Sequence, residues 1–256
     1  GMSRSRSASA GLVVGAAGAA LLVWAGWKWM QSRKKKIKPS KVVVAVTGFG
    51  SFKGVAANPT EVLVKSLLQH LKGNKLPKTV AVDRASVLEV SGEGCKESLQ
   101  GIRDSCFLLQ GQHRVWLHFG VDAKSNCFKL ERKAWNEADF RCADERGWQP
   151  QKETIYAEDG PLNKALLSDL PVSSMLRRLR RQGFNVKSST DPGRFVCNWI
   201  YYISLRWAKG ASTNQDGSPC EDSLFVHVPP FSEVPREKQM EFCHALLSCL
   251  GECMCT

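Results

Sequence analysis

The segment DPGRFVCNWIYYISL, residues 191–205, sets Cys197 where a Pro/Gly turn runs into an amphipathic helical pattern. A helix start offers unpaired N–H groups and the positive end of the macrodipole, an environment that favours a thiolate and therefore a cysteine nucleophile. His227 sits in the apolar run LFVHV, residues 224–228, and Glu131 and Arg141 lie in LERKAWNEADFRC, residues 130–142. Brought together, Cys197 would attack a carbonyl, His227 would take the thiol proton and return it to a leaving amine, and Glu131 would orient the imidazole. Arg141 and the Cys197 backbone N–H could face the developing oxyanion. Each residue also has an ordinary reading. A cysteine near a helix start packs as a small hydrophobe, a histidine in an apolar strand is commonly a satisfied core group, and a Glu or Arg in a charged stretch is commonly solvated or paired. Spacing alone leaves both readings open.

Convergence of the three depends on the elements that carry them. VVVAV, residues 42–46, is apolar and β-branched enough for a buried strand. Asn58, Pro59 and Glu61 mark a helix start, followed by the stripe Leu63, Val64, Leu67, Leu68 and Leu71 and closed by Gly73. A strand around 79–90, a helix with Leu99, Ile102 and Cys106 on one face, and a strand over 115–120 come next. A helix ending in MLRRLRRQG, a strand at 184–186, the Cys197 helix, the 224–228 strand and a final helix lined by Met240, Cys243, Leu247 and Leu250 complete the pattern. This alternation predicts an α/β fold, a three-layer α/β/α sandwich around a largely parallel, mixed central sheet. Such sheets build sites at the carboxyl ends of their strands, where Cys197, His227 and the segment holding Glu131 all fall.

The chain has 256 residues and a net charge of +12. The charge is concentrated before position 54, at Arg4, Arg6, Lys28, Arg33 to Lys36, Lys38, Lys41 and Lys53, with no acid ahead of Glu61. The remainder is nearly balanced, which argues against a nucleic-acid groove and makes RRQG around Arg180 a solvated helix end. The ten cysteines form no compact disulfide framework and no paired CxxC metal site, so they read as mostly reduced thiols with frayed ones at the C-terminus, and no metal is expected.

Residues 11–27 are uncharged, and the stretch to Met30 is long enough to span a bilayer at about 1.5 Å per residue. Trp24, Trp27 and Trp29 suit the interface, and the bases from Lys28 to Lys41 outnumber Arg4 and Arg6. The reading is a signal-anchor or transmembrane segment with a basic linker over 1–40 and a catalytic domain over 41–256. The anchor is single-pass, in an organelle outer membrane or elsewhere, with the domain facing the cytosol. The alternatives are a cleaved leader and a soluble cytosolic protein.

Together with VTGFGSFKGVAANPT at 46–60 and HFGV at 118–121, these segments resemble the pyroglutamyl peptidase I family, especially its plant-type members, in the same order from residue 42 to about 250. The resemblance implies a cysteine exopeptidase that removes N-terminal pyroglutamate from peptides without metal or cofactor. It implies a triad of Glu131 in ERKAWN, Cys197 in GRFVCN and His227 in VHVPP, with Arg141 at the oxyanion. Phe49 and Phe52 match the family's ring-clamping aromatics, Asn58 matches a residue bracing their loop, and Gly120 and Val121 fall beside the substrate. VDAKSNCFKL, residues 121–130, replaces the glycine-rich, Arg-containing stretch of bacterial members, so the ring contacts and the bacterial oligomer interface do not carry over; a homo-oligomer remains open. The alternative function is a catalytically silent, membrane-tethered binder of pyroglutamyl termini.

Overall fold

The computed structural model describes residues 38–52, 58–211 and 220–255. Strand β1 (Lys41–Phe49) is buried on both faces, as its run of valines requires. It pairs in parallel with β2 (Val80–Leu88) and β3 (Gln112–Val121), and β3 pairs in parallel with β8 (Glu221–Val228). On the far side of β8 lies β4 (Phe128–Glu131), which runs antiparallel to β8 and parallel to β7 (Val186–Ser189). The sheet order is β2-β1-β3-β8-β4-β7, a mixed and mostly parallel sheet, and a small antiparallel pair, β5 (Lys133–Trp135) with β6 (Ala165–Leu167), lies beside it.

Alternation along β1 divides the core in two. Val42, Val44 and Val46 join one cluster with α1 (Pro59–Gly73), α3 (Val172–Arg181) and α5 (Arg236–Cys255). Ala45 and Phe49 join the other, against α2 (Gly92–Asp104) and α4 (Val196–Gly210). That is the expected three-layer sandwich. Asn58 caps α1, its Oδ1 accepting from the Thr60 N–H at 3.1 Å.

Local details depart from the sequence pattern. Leu68 is 45% exposed because the buried stripe of α1 is Leu63, Val64 and Leu67. Cys106 lies beyond the end of α2, and the strand anticipated at 184–186 begins at Val186. The Cys197 helix is buried more widely than the sequence pattern implies: Ile200 to Leu205 are all buried, while Lys209 and Gly210 at its end are exposed. The terminal cysteines are not frayed, since α5 continues to Cys255 and Cys255 Sγ reaches the Thr79 carbonyl at 3.6 Å. Among the described residues no helix is long and apolar enough to cross a membrane; the segment read as an anchor, residues 11–30, lies outside the described residues.

Candidate active site

The site is assembled on the face of the sheet that packs against α4. In β8, His227 stands opposite Gly120 of β3 on one side and Lys129 of β4 on the other. Glu131, two residues beyond Lys129, points to the same face and reaches diagonally across. The His227 Nδ1 lies 2.9 Å from Glu131 Oε1. Because an ionised carboxylate only accepts, Nδ1 carries the proton, and Nε2 is left for another partner. Glu131 is fully buried, and its Oε2 has no hydrogen-bond partner among the described residues.

Cys197 is supplied by the start of α4. Gly193, at φ 78°, makes the turn of Asp191-Pro192-Gly193, and the Asp191 carboxylate accepts from the Gly193 N–H at 3.2 Å. Arg194 then clamps the turn, with Nε 2.6 Å from Glu137 and Nη1 2.7 Å from Asp191. The sulfur settles over β3 where no side chain intervenes: a Cβ on Gly120 would meet Cys197 Sγ at 3.0 Å and the Phe225 ring at 2.6 Å. Asn198, the next residue in the helix, accepts from the Trp135 N–H at 2.9 Å and donates to the carbonyls of Trp135 and Glu137 at 2.9 and 2.8 Å. Tyr201 donates to the Glu131 carbonyl at 2.8 Å. These two buried residues fix the helix that carries sulfur to the segment that carries carboxylate.

Burial alone pushes the His227 imidazole down, but its hydrogen bonds to Cys197 and Glu131, with the charges of both, outweigh that and raise its pKa to about 9. His118 is the contrast. Packed between Thr47 Oγ1 at 2.7 Å and Ser204 Oγ at 3.0 Å, with no charge beside it, it is driven by burial down to about 3 and stays neutral. An imidazole bonded to a carboxylate through Nδ1, with Nε2 left for the neighbouring thiol of Cys197, can accept the thiol proton and keep it.

Cys197 and His227 open into a cleft of about 440 Å³ whose lining includes Phe49, Phe52, Asn58, Val121, Arg141 and Phe195. Asn58 braces the loop after β1, donating from Nδ2 to the Gly50 carbonyl at 2.9 Å. Arg141 is exposed at the cleft, its guanidinium 5.6 Å from the Phe195 ring centre. Gly120 contributes the open space under the sulfur and does not itself line the cleft. Asp122 and Lys129, also in the lining, form an ion pair. Of the residues singled out from the sequence, Cys197, His227, Phe49, Phe52, Asn58, Val121 and Arg141 line the cleft, while Glu131 and Gly120 lie outside its lining, against His227 and beneath the sulfur. Sequence reasoning missed Phe195 and Asn198, although both belong to GRFVCN. Phe195 stands in the helix-capping position with no side-chain cap, 6.3 Å from Phe52 and 4.8 Å from Phe140. Among the described residues no three His, Cys, Asp or Glu side chains cluster as a metal site needs.

The profile of the family described as Pyroglutamyl peptidase matches residues 41–242. A Pyrrolidone-carboxylate peptidase from Thermococcus litoralis is 30% identical over 186 residues, covering 73% of this chain and 76% of that protein. One from Clostridium perfringens (strain SM101 / Type A) is 32% identical over 186 residues, covering 73% and 78%. The solved structure of the Thermococcus litoralis pyrrolidone carboxyl peptidase shares the fold, with a TM-score of 0.69 at 24% identity over 83% of this chain and 94% of that one. With a family profile spanning most of its length and relatives at this level along the same stretch, the chain belongs to the pyroglutamyl peptidase family.

Proposed function

We propose that the protein is a cysteine exopeptidase that hydrolyses the amide bond after an N-terminal pyroglutamyl residue of peptides, with residues 41–256 as its catalytic domain. The observation that carries the reading is the 2.9 Å Glu131–His227 contact, made by an imidazole that shares the aromatic cleft with Cys197. Cys197 Sγ attacks the pyroglutamyl carbonyl, and the oxyanion faces the Cys197 backbone N–H and Arg141. His227 passes its proton to the departing amine, leaving a thioester; it then activates water to release pyroglutamate and regenerate the thiol. Glu131 keeps the imidazole in the productive tautomer throughout.

The ring is a small neutral lactam, which suits walls of Phe49, Phe52 and Phe195, a loop braced by Asn58, and the Gly120–Val121 strand end. A free α-ammonium would have to be desolvated in such a pocket. The test is a pair of fluorogenic amides under reducing conditions. Release from the pyroglutamyl amide is expected, with at least about 100-fold slower release from the prolyl amide, which has the same ring size but a charged nitrogen. Equal rates would remove the lactam from the reading.

The glycine under the sulfur gives a second expectation. Gly120→Ala places a methyl group against Cys197 Sγ and Phe225, so the sulfur must move by several tenths of an ångström or more. A misplacement of about 1 Å can cost about 100-fold, so this smaller shift is expected to lower kcat/KM by about 10-fold, while overpacking costs about 1–3 kcal/mol of stability. Steady-state kinetics beside a thermal melt checks both, and an unimpaired alanine variant would contradict the placement of the sulfur.

Attachment of the domain to a membrane belongs to the same proposal. The uncharged stretch 11–27 with its tryptophans and the following basic linker support a single-pass anchor that leaves the domain on the cytosolic side.

A further inference from the structure

Phe107 and Leu109 are 84% and 71% exposed, two large apolar side chains two residues apart on one loop. They sit in the connection between α2 and β3, and its backbone is firmly held. Arg114 Nη2 donates to the Phe107 carbonyl at 3.4 Å, the Leu109 N–H donates to Gln112 Oε1 at 3.0 Å, and the Gln112 N–H donates back to the Leu109 carbonyl at 3.0 Å. The chain thus presents two apolar tips from a braced support.

This loop is joined to the point where the N-terminal segment meets the domain. Ser40 donates to the Gly111 carbonyl from its N–H at 2.9 Å and from Oγ at 3.0 Å, and Lys41 is in register with Gln112. Around the tips the charge is mostly positive. Lys38 and Lys41 flank Ser40, Arg84 Nη2 donates to Ser105 Oγ at 3.3 Å, and Arg103 stacks 4.7 Å from the Trp207 ring centre two residues before Ser105. Of the neighbouring acids, Asp83 pairs with Arg114 at 2.9 Å, and Asp104, which accepts from the neutral amide of Gln100 at 2.7 Å, is a carboxylate set against these bases. Two exposed apolar side chains with a basic rim match the headgroup–acyl boundary of an anionic bilayer.

We propose that the 105–111 loop docks the domain onto the membrane surface, Phe107 and Leu109 dipping into the lipid interface and the surrounding Lys and Arg side chains meeting anionic headgroups. The proposal rests on the reading of residues 11–30 as an anchor, which would hold the loop at the bilayer. It also has a consequence for substrate access. The loop precedes the first residue of β3 and the cleft lies at its last, so at about 3.3 Å per residue the two are roughly 30 Å apart. A docked domain would open its cleft away from the lipid, toward peptides in solution.

The experiment uses the full chain reconstituted in phosphatidylcholine–phosphatidylserine vesicles or held in neutral detergent, with flotation and amide hydrogen exchange of peptides covering 105–111. Flotation with exchange slowed about tenfold in vesicles relative to detergent, and the slowing lost in F107D/L109D, is the expected result. Failure of the full chain to float would overturn the anchor reading. Flotation with equal exchange in vesicles and detergent would overturn the docking alone. Slowing that appears in detergent and grows with protein concentration would assign the patch to a second copy of the chain and likewise overturn lipid docking.

Discussion

Cys197→Ala is expected to lower kcat/KM for a pyroglutamyl amide by about 10⁴-fold or more while leaving the fold intact. The sulfur lies over Gly120, and Cys95, which feels its charge, is fully buried, with a pKa pushed above the range where a thiolate forms. What survives in the alanine variant is what the cleft and the oxyanion donors provide without a nucleophile, and in well-studied hydrolases that residue of catalysis is small. Cys197 is half-buried and its deletion removes one atom, so the thermal midpoint should stay within a few degrees of the parent. Cys197→Ser keeps an attacking atom but replaces a thiol with a far weaker acid, so it should fall close to the alanine variant. Fluorogenic release with parallel melting curves decides the matter: a folded alanine variant that still turns over would mean the chemistry resides elsewhere.

The contrast between what the sequence discloses and what it conceals is clearest at this site. The turn that aims Cys197 is written locally, since Asp191, Pro192 and Gly193 each suit their backbone positions, and the apolar runs of β1, β3 and β8, buried on both faces, announce strands through composition alone. Glu131 is different. It ends a four-residue strand whose partners, β8 and β7, lie far along the chain, and only that antiparallel pairing turns its carboxylate onto the face of His227. Four residues carry too little periodicity to show such a strand, so its place came from tertiary pairing and the resemblance of ERKAWN to a known motif. Asn198 and Phe195 escaped for the same reason: one is a buried amide whose three partners come from a distant segment, and the other looks like ordinary core until the cleft is seen. In α4 the run 200–205 is buried throughout, so the polar pattern that periodicity depends on is confined to the end of the helix, at Arg206 and Lys209.

Glu131→Gln should have the second large effect, and pH dependence separates its cause from simple damage. The amide fits the buried site but has no charge, so it can neither hold an imidazolium by Coulomb attraction nor guarantee a proton on Nδ1; a flipped amide would donate to that nitrogen and enforce the wrong tautomer. A loss of about 10³-fold in kcat/KM is expected, within the range seen when the orienting carboxylate of a triad is neutralised. In the parent, His227 is raised from 6.5 to about 9 against the pull of burial, through Cys197 and Glu131. The alkaline limb of kcat/KM should therefore fall near that higher value, and in the glutamine variant it should move toward neutrality. Stability must follow the same sign. Because the folded-state pKa lies above the unfolded one, the stabilisation from the charged histidine is fully present below 6.5, declines as pH rises, and is gone once pH passes 9. The parent should lose stability across that window and the variant should lose much less. Denaturant melts on either side of the window, beside the rate profiles, test both halves of the claim. A variant whose alkaline limb and pH-dependent stability match those of the parent would show that Glu131 neither charges nor orients His227, leaving Cys197 as the contact that raises it.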